Sequence, residues 1–442
     1  MVVRIWSSVA KLKYAKSSHT ETDTSIQGEV GELVDHLFRH KSGQIVSILT
    51  GIFGFRHFDL AEDVVQETLV KALQRWPFSG IPENPAGWIL QAAKNQAVDV
   101  LRRRALFHDK QEEIVRQLER QLQPSDHPYP FQDEQLGLMF ACCHTAFPQD
   151  VQITLVLKTL CGFSVSEIAR AFLTKEPTIA QKLVRAKRKI HEKNLNFELP
   201  EQKRLSKRLD AVLQVLYLMF NEGYSSSKAN SLIRTDICYD AIRLTTLLTE
   251  HSAGDEPKTH ALLALMLFQA SRFATRVDSE GNLLLLADQD RKLWDKKLIQ
   301  RAFLHLERAG RGDQLTTHHL QAGIASYHAL AADYESTDWR QILSLYDALV
   351  ELDPSPIAKL NRSVAVSMVS GPAAGLYELE RITRDPTMDR YPLYHATLAD
   401  FHRRLGNVDQ AIAYYTKTLE LAYTEPERNF VERKLAGLKR RG

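Results

Sequence analysis

Hydrophobic positions along this chain recur at helical spacing almost everywhere, and strict alternation is nearly absent. Across residues 60–76, Leu60, Val64, Ala72, Leu73 and Trp76 make one apolar seam, while Asp63, Gln66, Glu67, Lys71 and Gln74 fall outside it. The run Asp59-Leu60-Ala61-Glu62 predicts an N-terminal cap with Glu at the third helical position. The next helix is predicted to start with Asn84 as cap and Pro85 at the first position, where a missing N–H costs nothing. Ala86, Ile89, Leu90, Ala93, Ala97 and Leu101 form its apolar stripe. Its opposite face reads Trp88, Gln91, Asn95, Asp99 and Arg102, running into Arg103 and Arg104. Residues 163–190 predict a pair of short helices. Ser164 and Glu167 make a capping box, and Val165, Ile168, Ala169 and Phe172 share a face. After a break at 173–176, Ile179, Leu183, Ala186 and Ile190 point inward. Thr178, Gln181, Lys182, Arg185, Arg188 and Lys189 occupy the other face.

The fold class is therefore all-α. The strand-like exception is 276–287, where 278–282 predicts a hairpin turn. Three prolines within 123–130, and a second break near 194–201, divide the chain. The expected organisation is a tail at 1–27, helical blocks at 28–104 and 133–195 joined by a linker at 105–132, and a long helical remainder at 196–442. In that remainder, 394–421 predicts a helix pair with Ala399, Gly406, Ala411 and Tyr415 in small/large alternation. Residues 324–354 repeat the idea with Ile342, Tyr346 and Leu349.

Composition changes this picture little. The 442 residues allow two to four domains, and 44% hydrophobic content is enough for real cores. Net charge is only +3, so the cations that matter are local ones. No apolar run is long enough for a membrane span, and 1–25 lacks the apolar core of a secretory signal. None of the four cysteines makes a CxxC pair, so buried reduced thiols are expected and zinc is not. Asn221 with Glu222, and Asp288 and Asp290 with Arg291, are better explained by capping and inter-helix hydrogen bonds than by catalysis, with Gly223 ending a helix and Asp290 capping the one that holds Trp294. There is no Gly-rich phosphate loop, no nucleophile elbow and no metal-spaced His pair, so no enzyme and no cofactor are expected.

Taken alone, the basic helix of 178–190 favours a DNA groove over a solvated bundle face, while Trp88 suits base contact or packing equally. The two blocks in this order, however, resemble bacterial sigma factors of the extracytoplasmic-function type. Residues 59–68, Asp-Leu-Ala-Glu-Asp-Val-Val-Gln-Glu-Thr, are similar to the sigma domain 2 helix that grips core RNA polymerase. Residues 84–90, then Ala93-Lys94-Asn95 and Asp99 to Arg104, are similar to the helix that opens and reads the −10 promoter element. The second block resembles sigma domain 4, a helix-turn-helix reading the −35 element, although Pro177 stands where Gly is the commoner pattern. The remainder resembles the subgroup with a TPR-like (tetratricopeptide-like) extension, through residues 220–224, 288–291, 338–339, 354–356 and 360–362.

This resemblance implies a cytoplasmic transcription initiation factor whose partners are core polymerase and promoter DNA, with no membrane partner. It places Asp63, Gln66 and Glu67 on polymerase. It places Trp88, Gln91, Asn95, Arg102, Arg103, Thr178, Gln181, Lys182, Arg185 and Arg188 on DNA. The loop 77–85 would hold a flipped base, the linker would thread polymerase channels, and the extension would regulate in cis by docking on the sigma domains through 221–224 and 288–291. The alternative is a helix-turn-helix regulator controlled by ligand or peptide in the extension. The first block argues against it, because a regulator has no use for a clamp helix plus a melting helix.

Overall fold

A helix with one apolar stripe can bury that stripe only against another stripe, and the whole molecule is built this way. The computed structural model describes residues 28–38 (without 29, 32 and 35), 41–54, 57–106, 134–172, 174–192, 208–224, 234–279, 281–382, 387–422 and 424–439. The tail at 1–27 and most of the expected linker lie outside them. The described chain is helical without strands. It divides into two units, Met1–Val215 and Leu216–Gly442.

The first unit begins with α1 (Ser42–Phe53), α2 (Phe58–Ser79) and α3 (Pro85–Leu106). It continues with α4 (Glu134–Cys142), α5 (Gln149–Thr159), α6 (Val165–Ala171) and α7 (Glu176–Glu192). Helix α2 packs on both α1 and α3, α7 packs on α5 and α6, and α1 packs on α4. The last contact joins the two blocks, which also meet where α1 passes the end of α5 at Gly43. A Cβ there would lie 1.6 Å from the carbonyl oxygen of Leu160, so only glycine lets α1 approach so closely. Nearby, Gln135 Nε2 donates to the same Leu160 oxygen at 3.4 Å.

The predicted cap at Asp59 is corrected. Helix α2 starts at Phe58, one residue before it, with His57 as N-cap and no side-chain cap bond. Phe58 and Leu60 are both buried, so packing draws the helix back past the local signal. Helix α2 also runs through Pro77 to Ser79, and only 80–84 remain as the loop expected to begin at 77.

The second unit holds most of α8 (Leu209–Tyr224), then α9 (Thr235–Glu250), α10 (Pro257–Ala270), α11 (Lys296–Ala309) and α12 (Thr317–Leu330). It ends with α13 (Trp339–Leu352), α14 (Pro356–Ser370), α15 (Pro372–Glu380), α16 (Pro392–Arg404), α17 (Val408–Leu421) and α18 (Glu425–Lys439). Helix α10 is apolar all round and sits inside, against α9, α11 and α12. From α13 onward each helix packs mainly on its neighbours in sequence, and three small cores follow one another along the chain. Such neighbour-only packing is the logic of repeat proteins.

The predicted turn at 278–282 is present. Asp278 N donates to Asn282 O at 2.9 Å, and Val277 and Leu283 form an isolated antiparallel bridge. Asp290 caps a short 3-10 turn, Arg291–Leu293, that ends just before Trp294. Two glycines play other parts than expected. Gly406 occupies the turn between α16 and α17 with φ near 81° instead of nesting the helices. Gly223 stays inside α8, where a Cβ would meet Cys238 Sγ at 2.7 Å, so it lets α9 come close. All four cysteines are free and buried, and burial pushes the Cys143 and Cys238 thiols up to about 12.

Gly43→Ala should force α1 away from the Leu160 turn and destabilise the first unit by about 2 kcal/mol or more. Urea denaturation of the full chain followed by circular dichroism measures this, and an unchanged midpoint would refute the close-approach account.

Candidate nucleic-acid interface

Helix α3 starts as its sequence dictates. Asn84 Oδ1 accepts from Gly87 N at 2.9 Å, and Pro85 takes the first position. Ile89, Ala93, Ala97 and Leu101 are buried against the rest of the block. Gln91, Asn95, Asp99, Arg102 and Arg103 are exposed on the other side, and Gln91 Nε2 donates to Asn95 Oδ1 at 2.9 Å. Trp88 is only half-exposed. Its ring meets Trp76 edge-on at 5.5 Å between centroids, so much of it is spent on packing α3 to α2.

At the end of α2, Phe78 is 82% exposed, an isolated aromatic beside the 80–84 loop. Sequence reasoning passed over it. The available signal was its position two residues after Trp76, off the seam. Along α2, Asp63 and Glu67 are exposed and Gln66 is half-exposed. Gln96 ties this face to α3: its amide nitrogen donates to Glu67, and its oxygen accepts from Lys71 at 2.5 Å.

The helix pair α6–α7 begins with the expected capping box. Ser164 N donates to Glu167 Oε2 at 2.6 Å, and Glu167 N donates to Ser164 Oγ at 3.1 Å. Ile179, Leu183, Ala186 and Ile190 are buried, as the spacing requires. Thr178, Gln181, Arg185 and Arg188 are exposed on the outer face.

The cations of α7 are not equivalent. Arg185 makes no hydrogen bond or ion pair among the described residues. Arg188 has one exposed helical neighbour, Glu192, at 3.4 Å. Lys182 is half-buried and ion-paired with Asp150 of α5 at 2.5 Å. That contact holds the Asp150 carboxyl below its usual range, chiefly through the hydrogen bond from Lys182. Lys189 donates to Ala146 O at 2.8 Å and lies 5.3 Å from the Phe147 ring centre.

Lys187, which sequence reasoning left unassigned, reaches across to α2. Its ammonium lies 2.5 Å from Glu62 Oε2 and 3.6 Å from Asp59 Oδ1. Burial alone would lower its pKa. The charge and hydrogen bond of Glu62, helped by Asp59 and Asp63, outweigh burial and raise it. Glu62, expected to cap α2, therefore bridges the two helical blocks instead.

Among the described residues no group of three His, Cys, Asp or Glu side chains is arranged to hold a metal, and no helix is long and apolar enough to cross a membrane.

Comparisons with known proteins fall on the same elements. Residues 37–107 match the model of sigma-70 region 2, and residues 138–190 match that of sigma-70 region 4. Residues 208–310 match a family of unknown function, DUF6596. An uncharacterized protein of Rhizobium meliloti (strain 1021) is 37% identical over 388 residues, covering 84% of this chain and 89% of its own length.

Lys187→Met should remove the cross-block ion pair and leave a mostly buried carboxylate behind, at a cost of about 1–2 kcal/mol once solvent screening is allowed for. Pairing it with Glu62→Gln should recover part of that loss. A double-mutant cycle in urea measures the coupling, and strictly additive effects would refute the bridge.

Proposed function

The chain belongs to the sigma-70 family, in the extracytoplasmic-function type with a long C-terminal extension, and from that premise we propose how its parts divide the work. It is a transcription initiation factor that directs RNA polymerase to promoters. We propose that it acts in the cytoplasm, by binding and not by catalysis. The proposed boundaries are 28–104 for sigma domain 2, 105–132 for the linker, 133–195 for sigma domain 4 and 196–442 for the extension.

The observation that carries the assignment of roles is the pairing of two helices, α3 and α7. Each buries an apolar stripe and leaves amides and arginines exposed. In this reading Gln91, Asn95, Arg102 and Arg103 meet the −10 element. Trp88, fixed by Trp76, forms the rigid base of that surface. Phe78 offers a face on which an extruded base stacks, which offsets part of the few kcal/mol that unstacking costs. Thr178, Gln181, Arg185 and Arg188 enter the −35 major groove, and Arg185 is the best placed for a bidentate guanine contact. Lys182 is released to phosphate only when Asp150 lets go of it. Asp63, Gln66 and Glu67 form the polymerase contact.

The two DNA elements, by their names, lie about 25 base pairs apart, or roughly 85 Å at 3.4 Å per step. The Lys187–Glu62 bridge and the Gly43 contact hold the two blocks in one unit, so we propose that both contacts open when polymerase and DNA bind. The 27 residues from 107 to 133 reach at most roughly 90–97 Å when extended, enough for that separation. The extension is proposed to regulate this opening in cis.

Run-off transcription with purified core polymerase tests the whole reading. Asp63→Arg combined with Glu67→Arg should abolish core binding in a pull-down while the circular dichroism spectrum stays unchanged. Arg185→Ala should weaken promoter binding about tenfold or more and lower the salt slope by about one. Parent-like transcription by both variants would refute the residue assignments. A truncation after residue 195 should change transcription strongly, and parent-like output would remove the regulatory role.

A further inference from the structure

Within the second unit, helices α8, α10, α12, α13 and α14 enclose a cavity of about 310 Å³. That is the lower end of the range of small-molecule sites. Its floor is apolar, from Leu265, Met266, Phe268, Ile324 and Leu349. Its lining also carries the polar side chains of Gln269, Arg272, Trp294, Gln321 and His328. Nε of Arg272, Nε1 of Trp294, Nδ1 of His328 and Oε1 of both glutamines are covered by their own neighbours, so these residues meet the cavity through their other atoms.

The charge of the site is one-sided. No carboxylate lines the cavity among the described residues. The Trp294 ring lies between two guanidinium groups, with Arg272 5.7 Å and Arg291 5.3 Å from its centre. Arg272 spends Nη2 on the Tyr224 hydroxyl but leaves Nε unpaired. Arg291 is anchored outside the cavity lining, through His328 O at 2.8 Å and Thr337 Oγ1 at 2.9 Å. Burial, then Arg272 and Arg291, depress the His328 ring to about 3, so at neutral pH it adds hydrogen-bonding capacity without charge.

We propose that this cavity binds a small organic carboxylate with an apolar body. The Arg272 guanidinium would meet the carboxylate, and the Trp294 ring and the apolar lining would pack against the body. The proposal goes beyond the sigma-factor reading and does not depend on it, because binding is measured on the chain without polymerase.

The probes are indole-3-acetate and 4-hydroxybenzoate, each beside its neutral amide, indole-3-acetamide and 4-hydroxybenzamide. Isothermal titration of the full-length chain should show at least one carboxylate binding at one per chain, tenfold or more tighter than its amide. Arg272→Met should weaken that binding at least tenfold. Because Arg272 also packs on Tyr224 and Trp294, a second variant, Ala325→Phe, fills the cavity from another wall and should abolish binding while the melting temperature holds. The proposal is overturned if neither carboxylate binds more tightly than its amide. It is equally overturned if the folded Ala325→Phe protein binds like the parent.

Discussion

A helix can give only one of its faces to a core, and everything this chain does rests on that constraint. Without a sheet to organise it, each block must gather stripes from several helices, and each helix is left with a second face to display. On α3 and α7 that second face carries amides and arginines, and on α2 it carries Asp63 and Glu67. Where no outer face is available, as on α10, the sequence turns apolar all round and the helix becomes the centre of its unit.

The parts of the fold written in neighbouring residues were legible in the sequence. Asn84 with Pro85, and Ser164 with Glu167, announce helix starts through contacts three residues apart, and both are made as expected. The buried stripes of α3 and α7 follow from a period of 3.6 and need no tertiary information. What the sequence hid are pairings between distant residues. Glu62 looks like a cap residue until Lys187, 125 positions away, is seen to claim it. Lys182 looks like a free cation until Asp150 is placed beside it. Gly223 looks like a stop signal until α9 is found against it. The run from Asn221 to Tyr224, expected on an outer docking face, instead supplies Asn221 and Tyr224 to the wall of a cavity.

The contacts that join the two halves of the first unit differ from those inside each half. A half is held by apolar stripes, which are costly to expose. The junction combines the packing of α1 on α4 with an ion pair between half-exposed Lys187 and buried Glu62 and a close backbone approach. Opening it returns both charges to water, so the ion pair resists separation less than the apolar stripes within each half do.

The four cysteines carry a consequence for the chemistry the protein tolerates. Thiolate, not thiol, is the form that oxidants and alkylating reagents attack. Burial pushes the Cys142, Cys143 and Cys238 thiols well above their ordinary value, so little of the thiolate forms at neutral pH. Burial removes the remaining route, direct access by reagent, from all four. The folded chain is therefore expected to react slowly with peroxide and maleimide. A cysteine introduced on the exposed face of α7 would be the reactive thiol of the folded protein, a ready handle for attaching a reporter to the proposed DNA-binding face without first removing the natural ones.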